Sequence, residues 1–482
     1  MKEEGSRART RAAARLATGV ALAVAAMGLG GCASVASRQV EPVPLPDAFG
    51  GGGQTAAAER WWQATGDTTL SHLIEAALAA SPGLQASYAR LAQAEAAARR
   101  ERASLFPSLA LQGAASHTEQ SDDSPTRRDF TSLSSGAAAS YELDLWGRLG
   151  SLREAAALDR EASREDLRTA AITLSAQVAS TWYQLVEQRE QLRVLAEQMD
   201  LNEQTLELVT LRFRRGQAGA TDVLRQRQLV ESTRGSMATA ESRRAVLANS
   251  LALLLGETPG TWKAPPASAG ADDLLPLPAT GLPVDLVRRR PDVARVYLAL
   301  LAADQRAAAA VAARFPRLSI SGQVTTSGEE VGDLFHNWLA NLAANLALPV
   351  IDGGQRRADV ARTRAVAAER LHLYEQAVLS AIGEVESGLA QERQQRTYVA
   401  SLQTQLELSQ QVIERTRDSY TSGAAQYLQV LDVLRTHQQL ERTVLAADRQ
   451  LKTLRIDLYR ALAGGWDMPV PEGDTESGSG GS

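Results

Sequence analysis

The chain has 482 residues, a formal net charge of −5 and one cysteine. The negative charge argues against nucleic acid as a partner, and a single thiol excludes an intrachain disulfide. Only 5% of the residues are aromatic while alanine is abundant, so the composition favours closely packed helices over a large globular core.

The N-terminal segment has the layout of a cleaved export signal. A basic region that ends at Arg15 precedes an apolar stretch, residues 16–29, which is too short to span a bilayer as a stable helix. The Leu-Gly-Gly sequence before Cys32 resembles a bacterial lipobox, which implies removal of residues 1–31 and acylation of Cys32. A small buried core thiol is the alternative. Since residues 1–31 carry five positive and two negative charges, their removal leaves a net charge of −8.

Two long stretches of the chain repeat each other. A Phe-Pro pair at position 106 recurs at position 315, an offset of 209, and Gly216 recurs as Gly423, an offset of 207. The predicted domains are a lipidated N-terminal segment (32–66), a first repeat (67–256), a Pro-rich linker that packs as a collar (257–283), a second repeat (284–466) and a disordered tail (467–482).

Within the first repeat the pattern changes from helix to strand. Residues 84–105 predict a helix that the Phe-Pro pair ends, and residues 109–113 and 132–145 alternate apolar and polar side chains as a strand pair does. The polar segment 117–130 between them is predicted to be a hairpin loop. In the second repeat a similar alternation covers residues 338–348.

A long helical pattern follows each predicted strand pair. Residues 148–214 contain no proline, and mostly apolar side chains recur every seven residues. The two series are Ala171, Val178, Leu185, Leu192, Met199, Leu206 and Phe213, and then Leu371, Val378, Val385, Glu392, Val399, Leu406, Ile413 and Tyr420. Such a rod is roughly 100 Å long, and a helix of about 35 residues returns along it. We therefore expect a helical hairpin after each β-hairpin.

Four amphipathic strands per chain cannot close a barrel alone, although open sheet edges are not tolerated in hydrocarbon. Several chains must therefore pool their strands, and three chains supply twelve, enough for an open lumen. The expected fold is mainly α with a small β part. Long antiparallel helical hairpins form an α-barrel, and two β-hairpins contribute four strands to a trimeric twelve-stranded transmembrane β-barrel.

Several short motifs follow one another in a fixed order along the chain. They are Phe106-Pro107-Ser108-Leu109, Leu143-Asp144-Leu145-Trp146-Gly147-Arg148, Arg212-Phe213 before Gly216, Asp222-Val223-Leu224, Phe315-Pro316-Arg317-Leu318 and Asp352-Gly353-Gly354 before Arg356. This order resembles that of the TolC-like outer-membrane efflux factors, in the NodT or OprM-like lipoprotein branch that serves RND-type pumps. The resemblance covers nearly the whole chain after Cys32.

The resemblance implies a homotrimeric channel in the outer membrane of a Gram-negative bacterium, in contact with membrane lipid and extending into the periplasm. Such a channel is a passive exit duct for small toxic compounds, delivered by an inner-membrane RND-type pump and a periplasmic adaptor protein. Ala33 and Ser34 agree with this location, because they lack the aspartate that typically retains lipoproteins at the inner membrane.

The resemblance also implies which residues act at the two hairpin tips. The adaptor-docking residues are Arg212, Gly216, Val223, Leu224, Arg417, Tyr420, Gly423, Val430 and Leu431, and the periplasmic gate residues are Asp222 and Asp432. Gln429 occupies a position where some members of the family have an acidic residue. In the alternative interpretation, the two glycines are ordinary helix C-caps and the aspartates are ordinary first-turn residues favoured by the helix dipole.

Enzyme motifs are missing from the sequence. It contains no Gly-x-Ser-x-Gly, no His-Glu-x-x-His and no P-loop, and its histidines are dispersed. We therefore predict no catalytic activity, no cofactor and no metal site. A periplasmic coiled-coil lipoprotein scaffold without a channel is the alternative function. It would explain the heptads and Cys32, but not two amphipathic β-hairpins at matching places.

Overall fold

The structure, a computed structural model, describes residues 44–53, 60–120, 128–267, 274–333 and 337–462. Cys32, the signal segment 1–31 and the tail 467–482 lie outside the described residues, so the predictions made for them are not addressed by the fold. The prediction of a mainly helical chain with four antiparallel strands is confirmed.

The same order of elements occurs twice. A 3-10 helix, Trp61–Thr65, comes first, and a second one, Val331–Asp333, lies between β3 and β4. The helices and strands are α1 (Thr68–Ala80), α2 (Pro82–Ala103), β1 (Ser108–Gln120), β2 (Arg128–Leu143), α3 (Arg148–Arg214), α4 (Ala220–Leu255), α5 (Pro283–Arg289), α6 (Pro291–Ala312), β3 (Arg317–Gly328), β4 (Trp338–Ala347), α7 (Gln355–Thr421) and α8 (Tyr427–Leu462). The run from α2 to α4 therefore corresponds to the run from α6 to α8.

The strands form one antiparallel sheet in the order β1-β2-β3-β4. Leu318 pairs with Leu346, which places the apolar side chains of β3 and β4 on one face. This apolar face is open, and Leu342 on it is 80% exposed. The opposite face is polar, and there Asn345 Nδ2 donates to Ser321 Oγ at 3.1 Å.

The first β-hairpin is longer than the sequence predicted. β1 continues to Gln120 and β2 begins at Arg128, so both strands extend into the segment 117–130 that was assigned to a loop. The antiparallel register continues through Ser116 and Ser132 to the strand ends without a break. Backbone hydrogen bonds between strands form whether or not the side chains are apolar. The polar composition of segment 117–130 therefore did not indicate that the two strands continue into it.

The two long helices have equal length but different buried stripes. α3 and α7 each span 67 residues, or roughly 100 Å. In α7 the predicted heptad series remains buried at Val378, Val385, Glu392, Val399 and Ile413. In α3 the series is buried at Ala171, Val178 and Leu185, whereas Phe213 at its end is 45% exposed.

The stripe of α3 shifts because α3 is the central helix of the chain. Asp159 and Asp166 in its first half form ion pairs with α6, at Arg306 and Arg295. In its second half α3 packs against both α4 and α8, whereas α4 and α8 have few contacts with each other. The buried residues near the tip are therefore those that face two helices at once, Gln198, Asn202 and Val209 among them.

A buried core lies midway along the long helices, where the linker and the N-terminal helices pack. Trp182 Nε1 of α3 donates to Asp67 Oδ2 at 2.8 Å, and Asp67 also caps α1 by accepting from the backbone N–H of Leu70 at 2.9 Å. Glu392 of α7 accepts from Arg455 Nε of α8 at 2.9 Å, and both side chains are buried. No helix in the described ranges is both long and apolar enough to cross a membrane.

Candidate functional site at the helical-hairpin tips

Both hairpin turns begin with a glycine in the left-handed region. Gly216 has φ 74° and Gly423 has φ 80°. At the first tip the Gln217 N–H donates to the Arg212 carbonyl at 2.8 Å, and the second tip has the corresponding bond at 2.8 Å. These are Schellman C-caps, which require a positive φ that glycine adopts without strain. The two glycines thus have a structural role in forming the tips.

Asp222 lies in the first turn of α4 and accepts a hydrogen bond from the backbone N–H of Gly219 at 3.2 Å. The corresponding residue of the second repeat is Gln429, whose Oε1 accepts from the backbone N–H of Gln426 at 3.0 Å. Each side chain therefore satisfies a free backbone donor at the start of its helix. This observation supports the capping interpretation for Asp222, and it explains how a glutamine can take the place of an acid at position 429.

Asp432 differs from Asp222 in its surroundings. It lies one turn further into α8, is exposed, and makes no side-chain hydrogen bond or ion pair with any residue in the described part of the chain. Arg415, Ser419 and Gln429 line a shallow groove together with it. Of the two predicted gate residues, Asp432 is therefore the one whose carboxylate is not occupied by a capping bond.

An arginine and two tyrosines join the two tips. The Arg212 guanidinium lies 4.6 Å from the centroid of the Tyr420 ring, within the range of a cation–π contact. Tyr420 in turn packs against Tyr427, with ring centroids 5.9 Å apart. Arg212 and Tyr420, which the sequence assigned to adaptor docking, therefore also hold α3 against α7 and α8.

The other predicted docking residues divide into buried and exposed groups. Val223 and Leu431 are buried in an apolar cluster with Val209, Ile413 and Leu434. Leu224 is 63% exposed. Gly216, Arg417 and Gly423 are exposed and Val430 is half-buried.

Three exposed apolar side chains at the first tip were not predicted as docking residues. They are Leu208, Leu211 and Phe213, and each is exposed at the end of α3. The sequence did indicate exposure for two of them, because Leu208 and Leu211 fall outside the heptad series. That signal was ambiguous, since an isolated apolar residue on a helix surface is common.

Below the tips, the interface of α3, α4 and α8 buries amide side chains. The Tyr427 hydroxyl donates to Gln226 Oε1 at 2.6 Å, and Gln226 Nε2 donates to the Asn202 carbonyl at 2.7 Å. Gln438 Nε2 donates to Asn202 Oδ1 at 3.0 Å. Burial raises the pKa of Tyr427 above its ordinary value, so its hydroxyl stays protonated and keeps donating.

This amide network continues away from the tip. Gln198 Nε2 donates to the Gln438 carbonyl at 3.0 Å, and Gln191 Nε2 donates to the Arg442 carbonyl at 2.8 Å. The amide positions 191 and 198 are seven residues apart, a heptad spacing that lies outside the apolar series predicted for this helix. Buried amides bond well in few geometries, so the network favours one register of α8 against α3.

Comparison with known proteins places these features in a family. The family described as outer membrane efflux protein matches the chain twice, over residues 73–257 and 282–464. The pyoverdine export outer membrane protein OpmQ of Pseudomonas aeruginosa is 32% identical over 467 residues, covering 93% of this chain and 97% of OpmQ.

Solved structures agree with the family match. A crystal structure of CusC superimposes with a TM-score of 0.80 at 26% identity, covering 89% of this chain and 98% of CusC. The open state of the MtrE outer membrane channel of Neisseria gonorrhoeae superimposes with a TM-score of 0.78 at 26% identity, covering 88% and 96%. The family consists of channels, which confirms the expectation that the chain is not an enzyme. The chain therefore belongs to the outer membrane efflux proteins, the outer-membrane channels of tripartite efflux systems.

Proposed function

We propose that three copies of the chain form one channel, with a twelve-stranded barrel in the outer membrane and an α-barrel in the periplasm. The observation that carries this proposal is the separation of the two sheet faces, apolar and exposed on one side and polar on the other. A single chain leaves the outer edges of β1 and β4 unpaired. Pairing each β1 with the β4 of a neighbouring copy satisfies these backbone groups, as hydrocarbon requires.

In this channel the hairpin tips face a periplasmic adaptor protein, which connects them to an inner-membrane RND-type pump. The exposed apolar side chains of Leu211, Phe213 and Leu224, with Arg417 nearby in the second tip, supply the contact surface. The buried residues Val223 and Leu431 support this surface from beneath.

The gate of the channel lies at the same tips. Asp432 supplies a free carboxylate from each copy, so three of them would gather around the threefold axis and attract cations. Asp222 contributes a partly satisfied carboxylate from the neighbouring hairpin. The contact between Arg212 and Tyr420 holds the tips of one copy together while the entrance is narrow.

The exported compounds are small toxic molecules selected by the pump, and the channel itself is passive. Acylation of Cys32, with palmitate among the added chains, anchors the segment 32–66 in the outer membrane. We expect Cys32→Ser to abolish labelling by radioactive palmitate without preventing assembly, since the anchor lies outside the repeats. Label retained by this variant would contradict the lipobox assignment.

Two measurements on the full-length protein test the channel. Native mass spectrometry in detergent should give three times the chain mass, and the protein should conduct ions in planar bilayers. A monomer with no conductance would support the coiled-coil scaffold instead. Deletion of the protein from its host, followed by a survey of drug and metal susceptibility, would identify the exported compounds.

A further inference from the structure

A cavity of about 370 Å³ lies where α6 and α7 meet the start of α3, directly beside the sheet. Its lining includes five arginines, which we call the rim, and the acidic residue Asp359. The arginines are Arg148, Arg306, Arg317, Arg356 and Arg362. Neither the tips nor the predicted gate reach this part of the molecule. The cavity is therefore distinct from the site described above.

The strand register shows which side of the sheet the cavity faces. Glu142 pairs with Ser319 on the polar face of the sheet, and Arg148 donates to both oxygens of Glu142 at 2.8 Å. Arg317 begins β3 two residues before Ser319 and so has the same orientation. Arg148 and Arg317, which line the cavity, thus lie on the polar side of the sheet, and this side bounds the lumen in the proposed trimer.

Four of the five rim arginines are paired with carboxylates, and two of these pairs are close. Arg148 is bound by Glu142, and Arg306 forms an ion pair with Asp159 of α3. Their charges are thereby largely balanced, so they contribute to the shape of the rim more than to its net charge.

The remaining three arginines keep unused donors. Arg356 donates to the Ala313 carbonyl at 3.0 Å but lies 3.6 Å from Asp352, and Arg362 lies 3.7 Å from Asp359. Both carboxylate distances exceed a good hydrogen bond. Arg317 is exposed and forms no ion pair or side-chain hydrogen bond with residues in the described ranges. Arg317 therefore carries a positive charge that no carboxylate in the described part of the chain balances, and Arg356 and Arg362 add unused guanidinium donors beside it. Guanidinium donors bind carboxylates, sulfonates and phosphates in a bidentate manner.

Apart from Asp359 and Thr363, the rest of the cavity lining is apolar. Small side chains of α6 line it, including Ala303, Ala309 and Ala310, with Leu152 of α3 and Val366 of α7 beside them. Its volume lies at the lower end of the range for small-molecule sites. Apolar side chains next to arginines complement a ligand that has an apolar body and one anionic group.

The geometry points to a lumenal binding site for amphipathic organic anions at the junction of the sheet and the helices, with Arg317, Arg356 and Arg362 as its anion-binding residues. This inference rests on the proposed function, because the lumenal position requires the trimeric barrel. The site would hold an anionic compound after it has passed the periplasmic helices and before it enters the barrel.

The probe is 1-naphthalenesulfonate, which is fluorescent and has a ring system that the cavity can hold. The full-length protein in lipid nanodiscs should bind it saturably, and Arg317→Gln should weaken binding by about tenfold, the loss expected for one charge-assisted hydrogen-bonding partner. Arg314→Gln is the matched control, because Arg314 is an exposed arginine three residues earlier that does not line the cavity. 1-Naphthol, which has the same rings without the anion at neutral pH, should bind about tenfold more weakly than the sulfonate.

A second variant tests the cavity without removing charge. Ala310→Phe should fill the apolar wall and abolish saturable binding while all five arginines remain. Each of three results would overturn the site. The wild type and Arg317→Gln could bind the probe with equal affinity, the sulfonate and the naphthol could bind with equal affinity, or Arg314→Gln could lose binding as much as Arg317→Gln does. If the cavity instead holds a membrane lipid, anionic phospholipid should co-purify with the protein and the probe should not displace it. That result would overturn the proposed site as well. Native mass and conductance measured on the same samples separate the channel proposal from the site proposal. A conducting trimer that does not bind the probe would disprove only the site.

Discussion

At the sheet end of the molecule, Leu111 and Leu342 are 82% and 80% exposed, whereas at the tip end the amides of Asn202 and Gln226 are completely buried. The sheet satisfies its polar backbone groups through the strand ladder and turns its leucines outward. Below the tips the interface of α3, α4 and α8 instead excludes water from amides that bond to one another.

The two ends of the molecule differ in this way because one is proposed to lie in the outer membrane and the other in the periplasm. A leucine facing hydrocarbon loses nothing by exposure, and no water is there to satisfy an open polar group. In the periplasm a buried amide network is stable only if every member finds a partner. The same substitution should therefore have different effects at the two ends, and the following experiments test this.

The largest effect is expected on the apolar face of the sheet. Leu342→Arg should destabilise the inserted barrel by about 2–4 kcal/mol per chain, because it places a cation in hydrocarbon. Asn341→Arg, one residue earlier on the polar face, is the matched control and should cost far less. Trimer yield in isolated outer membranes measures both. Equal losses for the two variants would argue against a water-filled barrel.

A smaller loss is expected when the buried amide network is broken. Asn202→Leu keeps the size of the side chain but leaves Gln438 Nε2 without its acceptor, which should cost about 1–3 kcal/mol. Gln204→Leu is the control, since Gln204 is exposed on the same helix and bonds only to Asp200. Chemical denaturation followed by helical circular dichroism gives the two free energies of unfolding. If they are the same, the network does not stabilise the tips.

A glycine-to-alanine substitution should change stability in opposite directions in the second hairpin turn and inside α7. Gly423→Ala should destabilise by about 1–2 kcal/mol because its φ is 80°. Gly383→Ala, inside α7 with open space around its added Cβ, should stabilise by about 0.5–1 kcal/mol. Thermal unfolding of the two variants measures these changes. A stable Gly423→Ala protein would mean that the turn relaxes to another conformation.

The proposed gate residues Asp222 and Asp432 should alter conduction more than stability. Asp222→Ala removes a helix cap and should cost about 1 kcal/mol, whereas Asp432→Ala breaks no side-chain bond to the residues that the structure describes. The double variant should show higher conductance, weaker cation preference and weaker block by multivalent cations in planar bilayers. Unchanged conductance and block in correctly inserted trimers would leave Asp222 as a helix-capping residue only and assign the gate to other residues.

Much of the fold and part of the candidate site were predictable from the sequence, because they depend on local patterns. The helix over residues 148–214 followed from the absence of proline and from the heptads, and α3 has these bounds. The alternation in residues 132–145 and 338–348 likewise located β2 and β4. The tip glycines were recognisable from their place in the repeat, since a helix can reverse there only through a positive φ.

The tertiary structure decided what depends on which helices meet. Heptads show that α3 has a buried stripe, but only the presence of both α4 and α8 beside its second half moves that stripe to Asn202 and Val209 and exposes Phe213. The arginines of the cavity are spread from position 148 to position 362, and no local pattern connects them. Their convergence depends on the packing of α3, α6 and α7, because long-range contacts determine which side chains share a surface.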